Sequence, residues 1–158
     1  MIAANQACPA PLHLMTRRFD KAKGQSGVHP SSTGAEATRR VAIVEDEAMV
    51  AWMLESMLED LGHEVVGIFP DGEHAIAALR NVEVDLICMD VNLGSGIDGI
   101  EAARRIRERQ PTAILFVTAY SDIATKQRIQ ELTPGAVLVG KPTSLTALEK
   151  AISITAGH

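Results

Sequence analysis

The residues of this chain best suited to chemistry follow directly on short apolar runs. Val41-Ala42-Ile43-Val44 leads into the acidic group Glu45-Asp46-Glu47, and Leu86-Ile87-Cys88-Met89 leads into Asp90. Ile114-Leu115-Phe116-Val117 leads into Thr118, and Val137-Leu138-Val139 passes through Gly140 to Lys141-Pro142. Carboxylates suit hard cations or act as nucleophiles, while a hydroxyl and an ammonium group stabilise charge on reacting oxygens. Taken singly, each residue has a plainer role. Glu45 and Asp46 could cap the helix that follows and favour its positive end. Thr118 could be an ordinary strand-end hydroxyl, Lys141 a solvated charge, and Pro142 a turn residue. Their recurrence at successive strand ends singles them out, because open α/β sheets place ligands beyond the carboxyl ends of buried parallel strands.

The elements that must position these residues alternate along the chain. After the strand at 41–44, a helix over about 47–61 carries Val50, Leu54, Met57, Leu58 and Leu61 on one face, and Gly62 ends it. A second strand covers 65–69, and Pro70-Asp71-Gly72 turns into a helix with Ala75, Ile76 and Leu79 inward. The third strand ends at Asp90, and the following helix spans about 98–109 with Ile100, Ala103 and Ile106 buried. A fourth strand at 113–117 precedes a helix at about 122–132 with a thin apolar face and Ser121 as its expected N-cap. The fifth strand lies at 136–139, and a last helix holds Leu145, Leu148 and Ile152. Five strands alternating with five helices predict an α/β, doubly wound parallel sheet with right-handed crossovers. On the first helix, at 100° per residue, Trp52 points away from the apolar stripe, with Met49 and Met53 on its flank. An exposed Trp beside methionines suits partner docking or a homodimer contact.

Composition narrows the class. The 158 residues, 46% apolar and 22% charged, suit one globular domain plus a tail. With no apolar run of about eighteen residues, no membrane insertion is expected. The N-terminus lacks a charged segment followed by an apolar core, so the protein reads as cytoplasmic. Cys8 and Cys88 are too far apart in character to suggest a disulfide or zinc site, and His13, His29, His63, His74 and His158 form no cluster. Residues 1–40 hold six basic and two acidic side chains, so the net −5 conceals −9 over the remainder, which argues against nucleic-acid binding. Residues 1–38 read as a flexible tail with a linker at 24–38, in which Leu12, Met15 and Phe19 could form one face of a short basic helix. Residues 39–158 read as the domain.

Acid pair, central Asp, hydroxyl and Lys-Pro in this order resemble the receiver domain of two-component signalling, from residue 40 to about 154. The resemblance implies a five-stranded sheet of order 2-1-3-4-5, which puts Glu45, Asp46 and Asp90 side by side. Three converging carboxylates call for a hard divalent cation. By resemblance, Asp46 and Asp90 bind Mg²⁺ directly, Glu45 through water, and the Asn92 backbone carbonyl adds an oxygen. Asp90 is then the phosphoacceptor for a sensor histidine kinase or histidine phosphotransfer protein, with Lys141, Thr118 and the Ala119 backbone N–H stabilising the phosphoryl group.

Two features depart from the family pattern. The loop Leu93-Gly94-Ser95-Gly96-Ile97-Asp98-Gly99 lacks the frequent Pro and is slightly longer. Leu138 stands where many receivers carry a switching Tyr or Phe, and Thr143 replaces a frequent Phe, leaving Tyr120, the chain's only tyrosine, as candidate switch beside Thr118. The expected function is a single-domain response regulator acting through protein contacts as shuttle, sink or regulator of a downstream target. It catalyses its own phosphorylation and dephosphorylation and turns over no separate substrate. The alternative is a phosphorylation-independent receiver-like binding module. A nucleotide-binding enzyme is disfavoured because Glu45-Asp46-Glu47 would repel an unchelated phosphate.

Overall fold

A computed structural model describes residues 37–156. The order is β1 (Arg40–Val44), α1 (Ala48–Asp60), β2 (Glu64–Phe69), α2 (Gly72–Ala78), β3 (Leu86–Met89), α3 (Gly99–Arg107), β4 (Ala113–Thr118), α4 (Ile123–Leu132), β5 (Val137–Gly140) and α5 (Leu145–Thr155). The strands form one parallel sheet of order β2-β1-β3-β4-β5, as expected. Order reverses between β1 and β3, so a crevice opens beyond their carboxyl ends.

The central strands are apolar throughout because both faces of the sheet are covered. Ala42, Val44, Ile87, Met89, Ile114 and Phe116 face one core, completed by Ala75 and Leu79 of the α2 segment, Ile100, Ala103 and Ile106 of α3, and Ile129 of α4. Val41, Ile43, Leu86, Cys88, Leu115 and Val117 face the other, completed by Ala51, Leu54 and Leu58 of α1 and Leu148, Ala151 and Ile152 of α5. Each buried Ile, Leu or Phe contributes roughly 1.5–3 kcal/mol relative to exposure. Burial also makes Cys88 inert, with its thiol pushed up to about 12.

The structure corrects several sequence expectations. The N-cap of α4 is Asp122, whose carboxylate accepts from the Thr125 N–H at 2.9 Å, and not Ser121. Both residues are good caps, and the one three positions before a free N–H takes the role. The last helix holds Leu145, Leu148 and Ile152 as expected, Leu145 lying 40% exposed at its first position. On α1 the buried stripe is Ala51, Leu54 and Leu58, while Val50, Met57 and Leu61 are half-buried at its margins. Ile76 of α2 packs against the core as expected, half-buried. β3 stops at Met89, and Asp90 prolongs the ladder by one bond, its N–H donating to the Val44 carbonyl at 2.9 Å. Residues 1–36 of the expected tail, with its short helix, most of its linker, Cys8, His13 and His29, lie outside the described residues, as does His158.

Candidate functional site

The site is built at the carboxyl ends of β1, β3, β4 and β5. Glu45 N–H donates to the Phe69 carbonyl and Asp90 N–H to that of Val44, each at 2.9 Å, while Lys141 N–H donates to the Thr118 carbonyl at 2.9 Å. These bonds fix the backbone of the acid pair, the central Asp and the lysine at one edge of the sheet. No side-chain cap forms at the start of α1, where Glu47 is the N-cap. Glu45 stays close to the helix start, its Oε1 accepting from the Glu47 N–H at 3.4 Å.

The side chains converge. The Lys141 ammonium lies 2.6 Å from Asp90 Oδ2 and 2.7 Å from Glu45 Oε2, and donates to Glu45 Oε1 at 2.9 Å. Glu45 is 2% exposed and Asp90 7%, so this pairing operates where water screens poorly. Burial pushes the Glu45 carboxyl above its usual range, although Lys141 pulls the other way. Burial also works against the Lys141 charge, but hydrogen bonds to Asp90 and Glu45 outweigh it and hold the ammonium above the usual lysine range. Asp46 is exposed, and one oxygen from each of Glu45, Asp46 and Asp90 lies within 4.8 Å of the others. One ammonium against three carboxylates leaves excess negative charge when all are ionised.

This donor set fits a hard divalent cation, being all oxygen. Glu45 Oε2 is buried and receives no well-directed hydrogen bond, only the nearby ammonium charge, so it retains capacity for a further partner. Asn92 N–H donates to Asp90 Oδ1 at 3.3 Å, which places its backbone at the same carboxylate.

The loop from Asp90 to α3 returns tightly on itself. Gly99 N–H donates to the Val91 carbonyl at 2.9 Å, and a Cβ on Gly99 would stand 1.8 Å from the Asp90 carbonyl oxygen. Only glycine permits that approach. Asp98 caps α3 by accepting from Glu101 N–H at 2.9 Å and pairs with Arg128 of α4. Thr118 ends β4, fully buried, and its Oγ1 accepts from Tyr120 N–H at 3.2 Å. The structure therefore brings Glu45, Asp46, Asp90 and Lys141 together, with Thr118 at the end of the neighbouring strand. Tyr120 and Trp52 stand apart as exposed rings at 54% and 60%. The linking of Lys141 to both Glu45 and Asp90 was missed by sequence reasoning, since no spacing signals a bond between residues 96 positions apart.

Comparison with known proteins agrees with this geometry. The profile described as response regulator receiver domain matches residues 41–153. The transcriptional regulatory protein PdtaR of Mycobacterium tuberculosis is 37% identical over 125 residues, covering 78% of this chain and 60% of that protein. A protein-glutamate methylesterase/protein-glutamine glutaminase of Natronomonas pharaonis is 34% identical over 95 residues, 60% of this chain and 26% of that protein. The chain thus spans less than two thirds of the length of these relatives. Among solved structures, chemotaxis protein CheY4 of Vibrio cholerae superposes with a TM-score of 0.67 at 27% identity, covering 74% of this chain and 98% of that one. The PhyR response regulator REC domain of Erythrobacter litoralis gives a TM-score of 0.67 at 27% identity over 78% of this chain and 94% of that one. Among the described residues, no helix is long and apolar enough to cross a membrane.

Proposed function

Because this chain belongs to the response regulator receiver family, we propose that Asp90 accepts a phosphoryl group from a phosphohistidine on a sensor histidine kinase or histidine phosphotransfer protein. The observation that carries the reading is the Lys141 ammonium bridging Asp90 and Glu45 inside a cluster of three carboxylates. An Asp90 carboxylate oxygen attacks phosphorus, the phosphorus–nitrogen bond breaks, and the donor imidazole leaves and takes up a proton. The protein's share is positioning and charge balance, since phosphoryl transfer has a loose transition state. Lys141 fixes the Asp90 carboxylate through Oδ2 and offers positive charge to the incoming phosphoryl oxygens. Thr118 and the Ala119 backbone N–H supply further hydrogen bonds from the neighbouring strand end. Asp46 and Asp90 would hold Mg²⁺ directly, with Glu45 through water and the Asn92 carbonyl as a further oxygen; when bound it adds positive charge on the phosphoryl oxygens.

Output then passes to a downstream protein target. Leu138 has no ring to swing, so the segment Tyr120 to α4, which follows Thr118, is the part that reorders. The weak burial of α4 supports this assignment. Trp52, on the outer face of α1, serves partner docking or a homodimer contact. Incubation with acetyl phosphate and Mg²⁺ adds one phosphoryl group by intact mass. Asp90→Asn abolishes the addition and chelation of Mg²⁺ suppresses it; full labelling of Asp90→Asn would overturn the assignment.

A further inference from the structure

The loop that carries Asn92 away from Asp90 is held from outside the acidic cluster, by α2. Glu73, in the first turn of α2, accepts a hydrogen bond on Oε1 from the Ile97 backbone N–H at 3.0 Å. Gly96, next to Ile97, adopts φ +91, and a Cβ there would stand 2.5 Å from the same Oε1. The loop backbone therefore lies directly against the carboxylate, and its positive φ at Gly96 favours glycine there. Beneath this contact, a Cβ on Gly72 would meet Ala102 at 2.8 Å and Ile97 Cγ1 at 3.0 Å, so the start of α2 is packed against loop and α3 together. At the other end of the loop, a Cβ on Gly94 would lie 3.3 Å from Asp46 Oδ2. One short segment thus bonds to Glu73 at one end and passes close to a proposed cation-binding carboxylate at the other.

We infer that Glu73 is a positioning residue: it latches residues 93–98 over the acidic cluster and so sets how well Asn92 and Asp46 are organised for a divalent cation. The role rests on the metal reading given above. Glu73 touches no reacting group; it acts through the loop. Its side chain is exposed and reaches the loop as a charged acceptor at the amino end of a helix, a combination that a glutamine reproduces in geometry but not in charge.

The test uses the whole chain, Mg²⁺ binding by calorimetry, and amide exchange without cation. In Glu73→Ala, residues 93–98 exchange faster and Mg²⁺ binds about three- to tenfold more weakly, the scale of one lost charge-assisted hydrogen bond. Glu73→Gln keeps the acceptor and restores most of both, and the unfolding temperature of either variant stays close to wild type. Unchanged Mg²⁺ affinity in Glu73→Ala overturns the role, whether or not exchange rises. A wild-type chain that binds no Mg²⁺ overturns the metal reading itself, and this role falls with it.

Discussion

Two neighbouring helices cover the same face of the sheet in very different ways. In α3, Gly99, Ile100, Ala102, Ala103 and Ile106 are all buried, whereas α4 buries Ile129 alone and leaves Ile123 77% exposed. α3 follows the loop from Asp90 and anchors the backbone next to that carboxylate. α4 follows Thr118 and Tyr120, and beside the single buried Ile129 it is tied to the start of α3 by a surface pair, Asp98 with Arg128. An exposed pair of this kind contributes little, roughly 0–1 kcal/mol. The contrast separates a part that must hold still from one that opens at low cost. Local stability follows buried apolar contact, so α4 is the element of this face suited to move.

The sharpest way to break that contrast is to cut the same side chain from each helix. Ile106→Ala should lower the unfolding free energy by about 3–4 kcal/mol in urea titration, and Ile129→Ala by about 2, where the thinner packing relaxes more readily. In amide exchange, Ile129→Ala should loosen α4 and spare α3. Equal global losses with α4 as protected as α3 would show that the two helices form one cooperative unit.

A smaller effect probes what the firm side tolerates. Burial holds the folded Glu45 carboxyl above its ordinary 4.5, so with rising pH the unfolded chain ionises first and the fold loses ground. Without divalent cation, Glu45→Gln should therefore unfold at a higher temperature than wild type near neutral pH. The advantage should fade as pH falls to 4.5 and below, where the unfolded carboxyl is protonated too. A constant difference across that range would place the cost of Glu45 in packing and not in its charge. The smallest effect belongs to Trp52→Ala. Removal of this exposed ring should change stability by no more than about 0.5 kcal/mol, while slowing phosphotransfer from a cognate kinase or weakening self-association in sedimentation. If both are unchanged, the outer face of α1 is not a contact surface.

Much of this architecture could be read in advance because parallel strands buried on both faces leave unbroken apolar runs such as Leu86 to Met89. The positions of Asp90, Thr118 and Lys141 after such runs were legible for the same reason. Details that depend on competition between near-equal choices were not. Ser121 and Asp122 are both good caps, and only the geometry of the first turn chooses Asp122. Ala51 lies at the centre of the α1 stripe yet carries too little apolar weight to mark it, while the larger Val50, Met57 and Leu61 flank it. Contacts between distant segments, Lys141 to Glu45 or Glu73 to Ile97, have no spacing to betray them. A glutamate in a first helical turn looks like a partner for the helix dipole, and the one hint of more was the glycine pair Gly94 and Gly96.

The approach of Gly99 to the Asp90 carbonyl bears on how this sequence can drift. In a library with every position randomised and sorted for folded protein, 98 should accept Ser, Thr or Asn, which cap a helix as Asp98 does. Position 99 should return a single letter. Even the smallest added methyl would fall inside the 1.8 Å gap, against backbone that no rotamer can move aside. A lineage can thus exchange Asp90 for another side chain and keep its fold, yet it cannot spare this glycine. A glycine kept at 99 would mark the loop geometry and not the chemistry, whatever Asp90 became.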